Sequence, residues 1–229
     1  MSQRPGLSPE LFRFLKELSE NNDRQWFQAN RDRYQREVRE PLLRFIAAFA
    51  APLRKISPHL VADARPSGGS LFRIYRDTRF SSDKSPYKTW AAARFSHQEG
   101  ADVHAPGYYL HLEPGSVFAG SGLWHPDPVT LKKVREAIVA KPMRWKRAIS
   151  GKTFRRACRL DGESLHRPPR GYDPEHPLIE DLKRKDFIAL TPFTMKDASA
   201  ADFMDRFSAA CRAAAPFMEF LTRAVGLPW

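Results

Sequence analysis

Apolar positions fall at helical spacing in the first quarter of the chain, alternate in its middle, and return to helical spacing at its end. Ser8 can cap a helix that takes Pro9 in its first turn and buries Leu11, Phe12, Phe14, Leu15 and Leu18. Asn22 or Asp23 can cap a second helix through Trp26, Phe27, Tyr34 and Val38. Pro41 opens a third segment with Leu42, Leu43, Phe45, Ile46, Phe49 and Leu53. The charges of ANRDRYQREVRE read as a solvated helix face.

Beyond a Gly- and Pro-rich connector at 64–69, Leu71–Asp77 reads as a strand. Phe72, Ile74 and Arg76 share one face, and Arg73, Tyr75 and Asp77 share the other. The turn-rich segment after it, through Trp90, wraps across a sheet edge. The strongest strand signal is Tyr108–Trp124. Tyr108, Leu110 and Leu112 alternate with Tyr109, His111 and Glu113, Pro114–Gly115 turns the chain, and Ser116–Trp124 returns as the second arm of an antiparallel hairpin. Asp127 can cap a helix carrying Leu131, Val134, Ile138 and Val139. Shorter helices are expected at 142–149 and 178–187, a strand at 188–191, and a last helical region at 198–225. Helices before and after a hairpin-containing sheet make this an α+β chain, with an antiparallel or mixed sheet packed by N-terminal and C-terminal helices.

Length and composition narrow the picture. The 229 residues, 42% of them hydrophobic and including 16 Phe and 5 Trp, suffice for a substantial core. A formal net charge of +12 favours anions of any size, from small phosphates to nucleic acid or acidic protein surfaces, without choosing among them. Cys158 and Cys211 form no disulfide framework and no zinc-type spacing. MSQRPGLSPE lacks the apolar segment of a secretory signal, and the apolar run 45–52 is too short to span a bilayer, so the expectation is a cytoplasmic protein without membrane association.

The candidate chemistry sits in two runs. LFRIYRDTRFSSDKSPYKTW supplies Arg73, Arg76, Arg79, Lys84 and Lys88 with Asp77 and Tyr87, and the hairpin supplies Tyr109, His111, Glu113 and Trp124. Arginine forks suit the oxygens of phosphate or carboxylate, lysines add positive potential, tyrosines orient polar groups, and Trp90 and Trp124 offer flat walls. His111 is the candidate proton-transfer group, with Glu113 or Asp77 tuning it. On an ideal strand the Cβ atoms of His111 and Glu113 stand roughly 6–7 Å apart, so direct pairing needs bent side chains, a water or a ligand. Other groups are weaker. His111, Glu113, His125 and Asp127 match no metal motif, Ser121 in GSG lacks a nucleophile elbow, and Tyr172, Asp173 and His176 lie in a proline-rich turn.

RIYRDTRFSSDKSPYKT, YYLHLEPGSVFAGSGLWHPDP and DFIALTPF, in that order, resemble the family called domain of unknown function 2461. The Trp26–Phe27 region and the helix after Pro128 fit it too, so the resemblance spans Ser8–Leu221. It implies one intracellular α+β domain over 8–221, with tails at 1–7 and 222–229. It carries no reaction and no cofactor. Thr89–Trp90 and Leu123–Trp124 are bulkier than the family pattern and would reshape a cleft they lined. The expected activity is binding, or acting on, a small phosphate- or carboxylate-bearing ligand. The alternative is a nucleic-acid- or protein-binding module with a basic aromatic surface. Oligomeric state is left open.

Overall fold

The computed structural model describes residues 7–99 and 105–229. The chain opens with α1 (Pro9–Glu20), whose buried stripe is Leu11, Phe12, Phe14, Leu15 and Leu18. Ser8 is extended at its start, but its side chain makes no capping bond. The Asp23 carboxylate does cap α2 (Arg24–Ala29), accepting from the Trp26 N–H at 2.9 Å. The expected second helix is divided at Asn30. There α3 (Arg31–Tyr34) begins and passes through one π turn (Gln35–Arg39) into α4 (Glu40–Arg54). Of the expected N-terminal tail, residues 1–6 lie outside the described residues, while Leu7 is buried and donates its N–H to Ala198 O.

A five-stranded antiparallel sheet follows, in the order β1 (Ala91–Ser96), β2 (Gly107–Glu113), β3 (Ser116–Leu123), β5 (Phe187–Phe193), β4 (Arg159–Asp161). The β2–β3 hairpin has the expected two-residue turn, with Gly115 at φ +86°. Between β3 and β4 lie α5 (Pro128–Ala140), capped by Asp127, then α6 (Pro142–Ser150) and α7 (Lys152–Ala157). One turn, α8 (Ile179–Leu182), precedes β5, and α9 (Met195–Ser199) and α10 (Phe203–Ala224) close the fold. Among the described residues no helix is long and apolar enough to cross a membrane.

The sheet has two unlike faces because strand side chains alternate. Tyr108, Leu110 and Leu112 of β2 are buried toward the helices, and the Tyr108 hydroxyl donates to Cys211 O in α10 at 2.9 Å. Phe49 of α4 meets Phe95 of β1 and Phe207 of α10 with ring centroids 4.8 and 4.9 Å apart. Each buried phenylalanine contributes about 1.5–3 kcal/mol by area, with a further increment from such edge-on pairs. This dry layer holds the sheet rigid, leaving its opposite face available.

Three expectations need correction. Leu71–Asp77 is no continuous strand. Leu71 bridges to Ala93, and Tyr75 bridges to Tyr87 further down the same loop. Phe72 donates to Ala92 O, whereas Arg76 and Lys88 exchange bonds with Pro86 O and Ile74 O. The segment serves two partners in turn and cannot run straight along either. Second, β1 was not expected. Its AAARFS sequence has little strand propensity, and pairing with β2 overrides that. Third, the helix expected at 178–187 shrinks to α8, and Phe187 opens β5. Residues 222–224 continue α10, and Pro228 O accepts a bond from His97 Nε2 at 3.0 Å.

Candidate functional site

Tyr109, His111 and Glu113 all project from β2 on the face away from the helices, and they are joined directly. His111 Nε2 lies 3.2 Å from Glu113 Oε2, and Tyr109 Oη lies 3.1 Å from His111 Nδ1. A carboxylate only accepts, so Nε2 carries the proton and Nδ1 accepts from the tyrosine hydroxyl. Thr89 Oγ1 donates to the other Glu113 oxygen at 3.3 Å. The result is a relay, Tyr109 to His111 to Glu113, steadied at its acidic end. The bent side chains anticipated above are what closes it, without an intervening group.

The neighbouring strands shape the setting. Phe118 of β3 pairs with His111 and stacks on the imidazole, centroids 4.7 Å apart and planes 17° off parallel. Trp90 lies 5.3 Å from the same ring. Gly120 stands opposite Tyr109, where a Cβ would come within 3.4 Å of the Tyr109 Cβ. His111 is 9% exposed. Burial lowers its pKa, opposed by the Glu113 hydrogen bond and charge. Burial and the Glu113 charge push the Tyr109 phenol well above its ordinary range. At neutral pH the resting relay is therefore a neutral phenol and a neutral imidazole beside a carboxylate.

Lys88 completes the cluster. Its ammonium sits 4.9 Å from the Trp90 ring centre and 5.4 Å from that of Phe72, and donates to Arg73 O at 2.8 Å. Burial, then the Arg73 charge, lowers its pKa. Phe72 meets both Trp90 and Tyr109 edge-on.

The remaining expected residues go elsewhere. Arg79 forks onto Asp77, and Arg76 is bonded to Asp83, both on an outer loop. Lys84 donates to Thr78 O on that loop. The Arg79 hydrogen bond holds the Asp77 carboxyl down at about 2. Tyr87 is 2% exposed and stacks on Phe27 at 4.1 Å, so its ring faces the core rather than a ligand. Trp124 is 64% exposed, beyond the end of β3 remote from Ser116. Six strand positions separate it from Phe118, roughly 20 Å at strand rise. His125 is occupied with buried Asp186, which accepts its N–H at 2.7 Å and explains its φ of +46°. Asp127 caps α5. Among the described residues no group of three or more His, Cys, Asp or Glu could hold a metal ion. Ser121 is buried on the helix-facing side.

Beside the relay lies a groove of about 940 Å³ lined by Arg31, Arg39, Arg73 and Arg94, with Phe72 and Tyr75 on its wall. Phe72 borders both places, and Arg73 lines the groove. The partners Phe118 and Thr89 were not anticipated, although the hairpin's two-residue turn already implies that His111 faces Phe118.

The chain belongs to the family described as conserved hypothetical protein (DUF2461), whose model matches residues 10–220. No curated protein matches it. No solved structure matches it either.

Proposed function

We propose that the protein binds a small phosphate- or carboxylate-bearing ligand beside Lys88 and that His111 moves a proton for it. The observation that carries this reading is the relay itself: a tyrosine, a histidine and a glutamate in one hydrogen-bonded line on a half-covered sheet face. What sets it apart from a histidine that is merely hydrogen-bonded is Lys88, partly desolvated against the Trp90 and Phe72 rings. Lys88 supplies the positive potential, with the Arg73 charge close enough to be felt by it. When a ligand group gives its proton to the Tyr109 oxygen, the phenol's own proton passes to His111 Nδ1. The imidazolium so formed is stabilised by Glu113. Glu113 is thus a positioning residue, and Asp77, committed to Arg79, takes no part. A cytoplasmic setting accompanies the reading, supported by two buried cysteines that both remain free thiols.

The test is a titration of the intact protein with inorganic phosphate, acetate and a panel of phosphorylated and carboxylated metabolites, following the His111 ring resonances by NMR. At least one probe should saturate and shift them, and Lys88→Ala should weaken that probe about tenfold. If no probe moves His111, or Lys88→Ala binds as tightly, the reading fails. Effort then passes to the alternative, a basic aromatic face for nucleic acid or an acidic protein.

A further inference from the structure

The groove beside the relay holds a polar group that the fold leaves unused. Tyr34 is 8% exposed, packed by ring contacts with Phe14 and Phe27, and lines the groove. Its hydroxyl makes no hydrogen bond among the described residues. The ring is covered, and the hydroxyl opens to the solvent of the groove. Burial pushes its pKa up to about 12, with the Arg39 charge opposing, so the hydroxyl keeps its proton and can donate it to a bound oxygen.

The surroundings say what kind of acceptor fits. Arg39 is fixed by bonds to Gln35 Oε1 at 3.0 Å and Pro66 O at 2.8 Å, and Arg94 by a bond to Ala105 O at 2.7 Å. The Arg31 and Arg73 side chains form no hydrogen bond or ion pair among the described residues. The one carboxylate in the lining among the described residues, Asp63, is already matched by Arg65. Such an array, two guanidinia held and two open along one groove that Tyr34 also lines, is suited to a multiply charged oxyanion. An inorganic anion would leave most of about 940 Å³ empty. The rest of the wall is aromatic, with Tyr75 52% and Phe72 38% exposed, large exposures for such rings. A flat heterocycle can stack there.

We infer that this groove binds a nucleoside phosphate, its phosphates bonded by Tyr34, Arg31 and Arg73 and its base laid against Tyr75 and Phe72. The site borders the relay at Phe72 and Arg73, but its lining contains none of Tyr109, His111 and Glu113, and it does not rest on the relay's ligand.

Calorimetric titration of the full chain with ADP, adenosine and inorganic pyrophosphate tests it. ADP should bind more tightly than either fragment. Tyr34→Phe keeps the ring and removes only the donor, and Arg31→Gln alters an exposed side chain that holds nothing. Each should weaken ADP about tenfold, while His111→Ala leaves the affinity unchanged. The inference is overturned if ADP does not bind at millimolar concentration. It is equally overturned if pyrophosphate binds as tightly as ADP, if both groove variants bind as wild type, or if affinity for single-stranded oligonucleotides exceeds that for ADP and climbs with length.

Discussion

β2 and the loop from Arg76 to Lys84 carry comparable numbers of titratable side chains, and on the page they look equally promising. The structure treats them in opposite ways. The loop's charges find one another locally: Arg79 takes Asp77, Arg76 takes Asp83, and Lys84 takes a backbone oxygen. Those bonds pair four of the loop's five charges, tie the fifth to a backbone oxygen and hold the loop's turns. On β2, alternation puts Tyr109, His111 and Glu113 on one face and Tyr108, Leu110 and Leu112 on the other, and the sheet's rigidity holds the first three in line. Charge in a sequence marks a site less reliably than a periodicity that concentrates it.

The hardest blow to this contrast comes from the dry face. Leu110 lies between Tyr109 and His111 and is fully buried toward the helices. Leu110→Ala should cost about 2–5 kcal/mol, the usual range for a buried leucine whose cavity collapses only in part. Urea unfolding measures it, with the midpoint falling at unchanged slope. A loss well below that range would mean that the helical layer does not clamp β2, and with it would go the claim that rigidity makes the relay.

A smaller effect separates the faces by pH. Burial lowers the folded-state pKa of His111 below its unfolded value. Between those two values the unfolded chain holds more protons, so stability rises with pH. The contribution is full above about pH 6.5, the ordinary histidine value, and is lost as pH falls through the folded pKa. Wild type should therefore lose melting temperature from pH 7.5 to pH 5, and His111→Asn should lose measurably less. Glu113→Gln should steepen the loss, because the hydrogen bond and charge that hold the pKa up are then weakened. Equal slopes for all three proteins would show the imidazole to be well solvated.

How much of this was legible follows from the range of the forces involved. The hairpin, its turn and the two faces of β2 are local consequences of alternation and of Pro114–Gly115, and the sequence states them. So is the Asp127 cap. The direct His111–Glu113 bond was left open because it depends on Phe118 and Trp90 crowding the imidazole from other segments. β1 escaped notice because three alanines carry no strand signal, and only pairing with β2 makes them one. Tyr87 reads as a ligand contact in the sequence because nothing local reveals that Phe27, sixty positions earlier, covers it. The groove escaped for the same reason, since Arg31, Arg39, Arg73 and Arg94 converge only through tertiary packing.

The smallest effect is the one that defines the comparison from its other side. Asp77 and Arg79 are well exposed, and their ion pair is a local one, two residues apart. Water and salt screen such pairs, and ordering two mobile side chains offsets what attraction remains. The low pKa of Asp77 reports that attraction without implying a comparable gain in stability. Asp77→Asn with Arg79→Ala should therefore leave the melting temperature where it was, and leave unchanged the NMR response of His111 to whichever anion it recognises. The sharper half is the second. A loop arginine that touched the relay's ligand would reduce that response even though the fold stood firm. A reduced response in this variant would move the loop from the self-satisfied side of the contrast to the functional one.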